Sequence, residues 1–149
     1  DPAPLAGMSY PGMRMPWRRL YGLGFRQVVC LCDEIVDYNP DPLRMLRKVK
    51  MEDLHHGNDP LNPAMNERLV RESVELINYC LDKGEGVAVH CIGGTGRTGT
   101  VIGCVLRSRG HSAGEVIAYL DDINKQRGRR GWPEAPWQAD MVRRYDNAP

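Results

Sequence analysis

Apolar positions fall into two rhythms along the chain. Short unbroken runs of strand length, residues 27–32 (QVVCLC) and 86–90 (GVAVH), alternate with stretches in which apolar residues recur every three or four positions. The clearest of the second kind starts at Pro63 and runs through Met65, Leu69, Ser73, Leu76, Ile77 and Cys80 to a stop near Gly84. Residues 97–109 read as an apolar helix. Ser112 with Glu115 forms a capping box for another through Val116, Ile117, Leu120 and Ile123, and a last helix is expected near Trp137. Ahead of these, residues 1–16 are rich in Pro, Gly and Met and are expected to be irregular, with one short edge strand near Leu5. Residues 17–23 predict a short amphipathic helix ended by Gly24. Residues 33–41 carry turn chemistry, 42–48 predict one or two helical turns, 49–54 predict a strand, and HHGNDPLNP breaks all periodicity. Strands alternating with helices imply one α/β domain over residues 1–149, with a single central, mostly parallel sheet of four or five strands flanked by helices.

Between the strand at 86–90 and the helix that follows lie eleven residues, HCIGGTGRTGT, from His90 to Thr100. Glycines let a backbone turn its N–H groups inward around an anion, and a helix N-terminus adds positive potential. Ile92, Gly93, Gly94, Thr95 and Gly96 are therefore read as a phosphate cradle. Arg97 adds a planar fork of donors for two phosphate oxygens. Cys91, at the helix start and beside Arg97, is placed to react as a thiolate, since such surroundings pull a thiol from about 8.5 toward the roughly 3.5–7.5 range of activated cysteines. In-line attack of its sulfur on phosphorus would give a phosphocysteine, with charge held by the loop amides and Arg97.

Two nucleotide-binding patterns overlap these letters. Gly94, Gly96 and Gly99 spell G-x-G-x-x-G after a strand, but that fingerprint needs an acidic strand end about 20 residues on, and here the stretch around Asp121 and Asp122 is helical. The nucleoside-triphosphate loop needs a lysine that the segment lacks. Composition excludes more than it proposes. A net charge of +1 gives no global attraction to nucleic acid or membrane, and no run approaches the roughly 20 apolar residues of a membrane span. The five cysteines, Cys30, Cys32, Cys80, Cys91 and Cys104, are odd in number and lie mostly in apolar stretches, as expected of reduced core thiols in a cytoplasmic protein. Cys30-x-Cys32 has neither the spacer nor the second ligand pair of a zinc site, and His55-His56 has no third ligand nearby, so no metal or other cofactor is expected.

HCIGGTGRTGT resembles the signature of the cysteine-dependent protein tyrosine phosphatase superfamily, above all its small dual-specificity branch and the phosphatase associated with cyclin-dependent kinases. The resemblance runs from about Gln27 to Tyr145, although only the cradle is specific. It implies metal-free hydrolysis of phosphate monoesters, an aspartate on an upstream loop, and often a glutamine near the C-terminal helix; separately, the chain is expected to be a monomer. Departure of the leaving oxygen needs a proton donor. VKMEDLHHGNDP is similar to the family's strand and acid pattern, with Asp53 closing the strand. The stretch to Pro60 is longer than usual, however, and keeps Asp59 in play. The resemblance also implies that His90 supports the loop from behind Cys91 and that Gln138 positions water; in the second step Thr98 is expected to donate its hydroxyl to the departing sulfur as water attacks the phosphocysteine and the aspartate becomes the base. For Gln138, a solvated first-turn residue is the plainer alternative. Arg127, Arg129 and Arg130 are expected either to flank the mouth or to form a solvated face. Three functions follow: a protein phosphatase for phosphotyrosine, extending to phosphoserine and phosphothreonine; a phosphatase for phosphoinositides, sugar phosphates or RNA ends; and a phosphate-binding module without turnover. Retention of a nucleophile argues against the third.

Overall fold

The computed structural model describes residues 3–145. Four strands, β1 (Leu5–Met8), β2 (Phe25–Cys30), β3 (Arg44–Lys48) and β4 (Gly86–His90), form one parallel sheet in the order β1-β4-β2-β3. Helix α1 (Trp17–Gly22) covers one face through a small cluster of Trp17, Phe25, Val28, Leu43 and Ala88. The other face carries the main core, to which α2 (Pro63–Asp82), α3 (Gly96–Ser108), α4 (Ala113–Gln126) and α5 (Pro136–Arg144) contribute Val70, Val74, Ile77, Val101, Val105, Leu120 and Val142. β4 is buried along its whole length and β2 over Val28–Cys30. Both strands are covered on two faces, which is why their sequences read as continuous apolar runs.

The expected strand near Leu5, the helix starts at Trp17 and Pro63, and β4 all appear where the pattern puts them. Asn62 caps α2 by accepting from the Met65 amide at 3.1 Å, with Pro63 in the first helical position. Ser112 accepts from the Glu115 amide at 3.2 Å at the head of α4. Residues 42–49 correct the sequence reading. The expected helical turns are strand β3, and the expected strand at 49–54 is an extended tail beyond it. That tail holds to β2's continuation by Val49 N–H to Cys30 O and Met51 N–H to Leu31 O, each 2.9 Å. As an edge strand β3 has one neighbour, charges at Arg44, Arg47 and Lys48, and two adjacent apolar residues, Met45 and Leu46, that are each half-buried, so no period-two pattern marks it. The tail nevertheless buries Met51 and Leu54, and it brings Asp53 to the carboxyl end of the sheet, where β4 delivers the cradle.

Candidate active site

The cradle is a tight bend pinned to the sheet from behind. Gly94 has φ +76°, and a Cβ there would meet the Met8 carbonyl and the Ser9 amide nitrogen at 2.7 Å. Both the left-handed conformation and the backbone contact demand glycine. Gly94→Ala should cost on the order of 1–3 kcal/mol and lower activity with it, which thermal denaturation alongside turnover measures. Outside the bend, Arg129 donates to Gly94 O at 3.2 Å and to Ser9 Oγ at 2.7 Å, and Ser9 Oγ donates to Gly93 O at 3.2 Å. Arg129 therefore braces the back of the loop. Arg127 and Arg130 of the same run are exposed, in keeping with the solvated-face expectation.

Inside the bend, Cys91 Sγ accepts from the Gly94 N–H at 3.2 Å and from Thr98 Oγ1 at 3.1 Å. The cap position of α3, Thr95, makes no side-chain cap hydrogen bond, so the first-turn amides keep their positive potential at the cleft. Cys91, Ile92, Gly93, Thr95, Gly96, Arg97, Asp53, His55 and Glu134 enclose a cleft of about 150 Å³. This is small beside the roughly 300–1,000 Å³ that surrounds a whole small molecule, and suits a phosphoryl group entering from solvent. A larger hollow of about 370 Å³ between β1, α3 and α4 is lined mainly by Leu5, Ile102, Leu106, Val116 and Tyr119, and lies away from Cys91.

Arg97 is buried, and Nη1 donates to Met51 O at 3.2 Å. Its Nη2 faces Asp53 Oδ2 at 3.7 Å. Asp53 is in turn held by the His55 backbone amide and by His55 Nδ1, both 3.1 Å from Oδ1. Partial burial works to raise the Asp53 pKa, but the His55 amide, Arg97 and the imidazole outweigh it and hold the carboxyl below its ordinary value. Glu52 places this loop: its carboxylate accepts from Leu61 and Asn62 at 2.6 and 2.9 Å, while its own N–H donates to Asn66 Oδ1 at 3.1 Å. Asp59 is exposed and is not part of the cleft lining, so of the two candidate acids it is Asp53 that the fold brings to Cys91.

His90, next to Cys91 in the chain, is fully buried. Its Nδ1 lies 3.0 Å from Cys91 O, an atom that can only accept, so Nδ1 carries the proton. Nε2 then accepts from the Tyr38 hydroxyl at 2.6 Å. Burial lowers the His90 pKa, keeping the ring neutral despite the opposing effect of the Cys91 carbonyl. Burial likewise raises that of Tyr38, which stays a donor. Gln138 is 1% exposed, contrary to the solvated alternative. Its Oε1 accepts from the Glu134 and Ala135 amides at 2.8 and 3.2 Å, so it lies beneath the cleft and anchors the chain that borders it. Sequence reasoning missed Tyr38, Glu52 and Glu134, which reach the site only through tertiary placement. Cys30, Cys32 and His90 are the one group of potential metal ligands among the described residues. Their ligand atoms lie within 4.8 Å of one another, with the two sulfurs 3.8 Å apart. All five cysteines are unpaired and buried.

Comparison with known proteins agrees with this geometry. Residues 1–129 match the family model described as PTP-SAK: Swiss Army Knife protein, DSP-PTPase phosphatase domain. The tyrosine-protein phosphatase cdcA of Emericella nidulans is 44% identical over 65 residues, 43% of this chain; the match spans only 10% of that protein's length. Among solved structures, PTPMT1 in complex with PI(5)P aligns over 95% of this chain and 89% of its own, with TM-score 0.68 and 16% identity. The human tyrosine phosphatase-like serine/threonine/tyrosine-interacting protein aligns over 93% and 88%, with TM-score 0.69 and 18% identity. A bend built around Cys91 and Arg97 at the end of a central parallel strand, together with a family model spanning most of the sequence, establishes that this chain belongs to the PTP-SAK family of DSP-PTPase phosphatase domains.

Proposed function

We propose that the chain is a cysteine-dependent phosphatase that hydrolyses phosphate monoesters on proteins, phosphotyrosine first and phosphoserine and phosphothreonine with it, through a phosphocysteine intermediate. One observation carries this reading: a sulfur that accepts from a loop amide and a threonine hydroxyl at a helix start, with one arginine and one aspartate across the same small cleft. The phosphoryl oxygens take the cradle amides and the Arg97 fork, which together offset the charge that builds up on them. Cys91 attacks phosphorus, and Asp53 gives a proton to the departing oxygen. Water then displaces the sulfur, whose returning negative charge the Thr98 hydroxyl stabilises. Thr98→Ala should accumulate phosphoenzyme, and a rapid-quench experiment that finds none would count against this role.

The rim supports a protein substrate over polyanions. Ile92, 62% exposed beside the nucleophile, offers an apolar contact to a peptide. Asp53 and Glu134 repel further phosphates, and residues 92–96 hold no lysine. The second reading, a non-protein phosphate, keeps weight because the cleft engages little beyond the phosphoryl group and because PTPMT1, of the same fold, has been solved with PI(5)P. Steady-state kinetics on a panel of phosphopeptides and phosphoinositides, with Cys91→Ser as blank, decides between them. A higher kcat/KM for phosphotyrosyl peptides supports the first, and preference for phosphoinositides replaces it with the second.

A further inference from the structure

We infer that Glu134 is a second catalytic carboxylate of the cleft, the base that takes the proton of the water hydrolysing the phosphocysteine; this rests on the two-step reaction proposed above.

Glu134 lies beyond the segment matched by the family model, yet its side chain lines the same cleft as Cys91, Arg97 and Asp53. A Cβ built on Gly96, the residue before Arg97, would collide with Glu134 Oε1, so the carboxylate fills the space above the first turn of α3 that a missing side chain leaves open. The backbone is clamped there from two sides. Gln138 Oε1 holds the Glu134 amide at 2.8 Å, and the buried Trp132 indole donates to Gly96 O at 3.3 Å while its amide donates to Asp121 at 3.0 Å. A side chain held this way reaches the cleft at low entropic cost.

Asp53, His55 and Arg97 are the charged and titratable groups that act on it. Burial, first, and then Asp53 raise the Glu134 pKa, against His55 and Arg97. Asp53 is shifted the other way. Two carboxylates whose proton affinities are pushed apart divide acid and base work between them. Asp53 gives its proton to the leaving group and, as the weaker base, is the poorer acceptor in the second step. The stronger base is suited to receiving one. In the second step the water oxygen bonds to phosphorus as the phosphorus–sulfur bond breaks. The electron pair returns to Cys91, the water's proton passes to Glu134, and inorganic phosphate leaves.

The test is stopped-flow release of the alcohol from a chromogenic aryl phosphate, combined with acid quench, on the wild-type chain and on Glu134→Gln, Glu134→Asp and Thr98→Ala. Glu134→Gln should keep the burst of aryl alcohol, lower the steady-state rate about 10²-fold and accumulate phosphocysteine. Glu134→Asp, which retains a carboxylate, should recover part of the loss. A Glu134→Gln chain that turns over like wild type, or that loses burst and steady state together, overturns the assignment. Turnover without phosphocysteine in Thr98→Ala and Glu134→Gln alike would instead remove the two-step reaction beneath it.

Discussion

Cys91→Ser is expected to lower kcat by roughly 10⁴-fold or more, because in the proposed reaction its sulfur forms the bond to phosphorus in the first step and leaves in the second, and the remaining groups act through it. The cradle itself should persist, since Gly94 is held by Arg129 and by its contact with β1 and not by the sulfur alone. Binding of a phosphopeptide should therefore survive the substitution while turnover does not. Calorimetric titration with a phosphotyrosyl peptide, set beside turnover, measures both. Loss of binding in step with loss of turnover would mean that the sulfur organises the loop. Retained turnover would mean that another residue attacks.

Asp53→Asn should reduce kcat by about 10²–10⁴-fold with little change in KM, the range typical of removing a general acid. That corresponds to roughly 3–5 kcal/mol of transition-state stabilisation at about 1.4 kcal/mol per decade. In the unliganded cleft the carboxyl is held below its ordinary value, with partial burial opposing and His55 and Arg97 prevailing. A dianionic phosphoryl group on Arg97 would neutralise that influence and add a like charge, so Asp53 regains a proton as substrate binds. The sign follows: the acid works only while protonated, so kcat falls as pH rises through its pKa in the complex, and Asp53→Asn should abolish that basic limb. Substrates with very acidic leaving groups should lose least. Near-normal turnover on a phenyl phosphate, or an unchanged basic limb, would dismiss Asp53.

Local chemistry made some parts readable in the letters and tertiary contact hid the rest. The cradle and β4 were legible because a strand buried on two faces is apolar up to its end at His90, and because a bend with a left-handed residue favours glycine at Gly94 before any tertiary contact adds to the demand. α2 was legible through Asn62 and Pro63, which act within one turn. β3 was not. Its two apolar residues, Met45 and Leu46, are adjacent, each only half-buried, and flanked by charges that its edge position tolerates. The Tyr38 contact to His90 spans 52 residues and that of Arg129 to Gly94 spans 35, distances no local pattern encodes. Gln138 was picked out on a family likeness. Its observed place under the Glu134 and Ala135 amides follows from capping α5, a role the first-turn position itself explains.

The central claim is that Cys91 becomes covalently phosphorylated during turnover. Peptide-mapping mass spectrometry of Thr98→Ala, acid-quenched during hydrolysis of a phosphotyrosyl peptide, tests it most directly, with Cys91→Ser as the blank. The account predicts one phosphoryl group, located on the peptide that contains Cys91 and missing from the blank. Turnover with that peptide unmodified, or with the phosphoryl group on another residue, would contradict it.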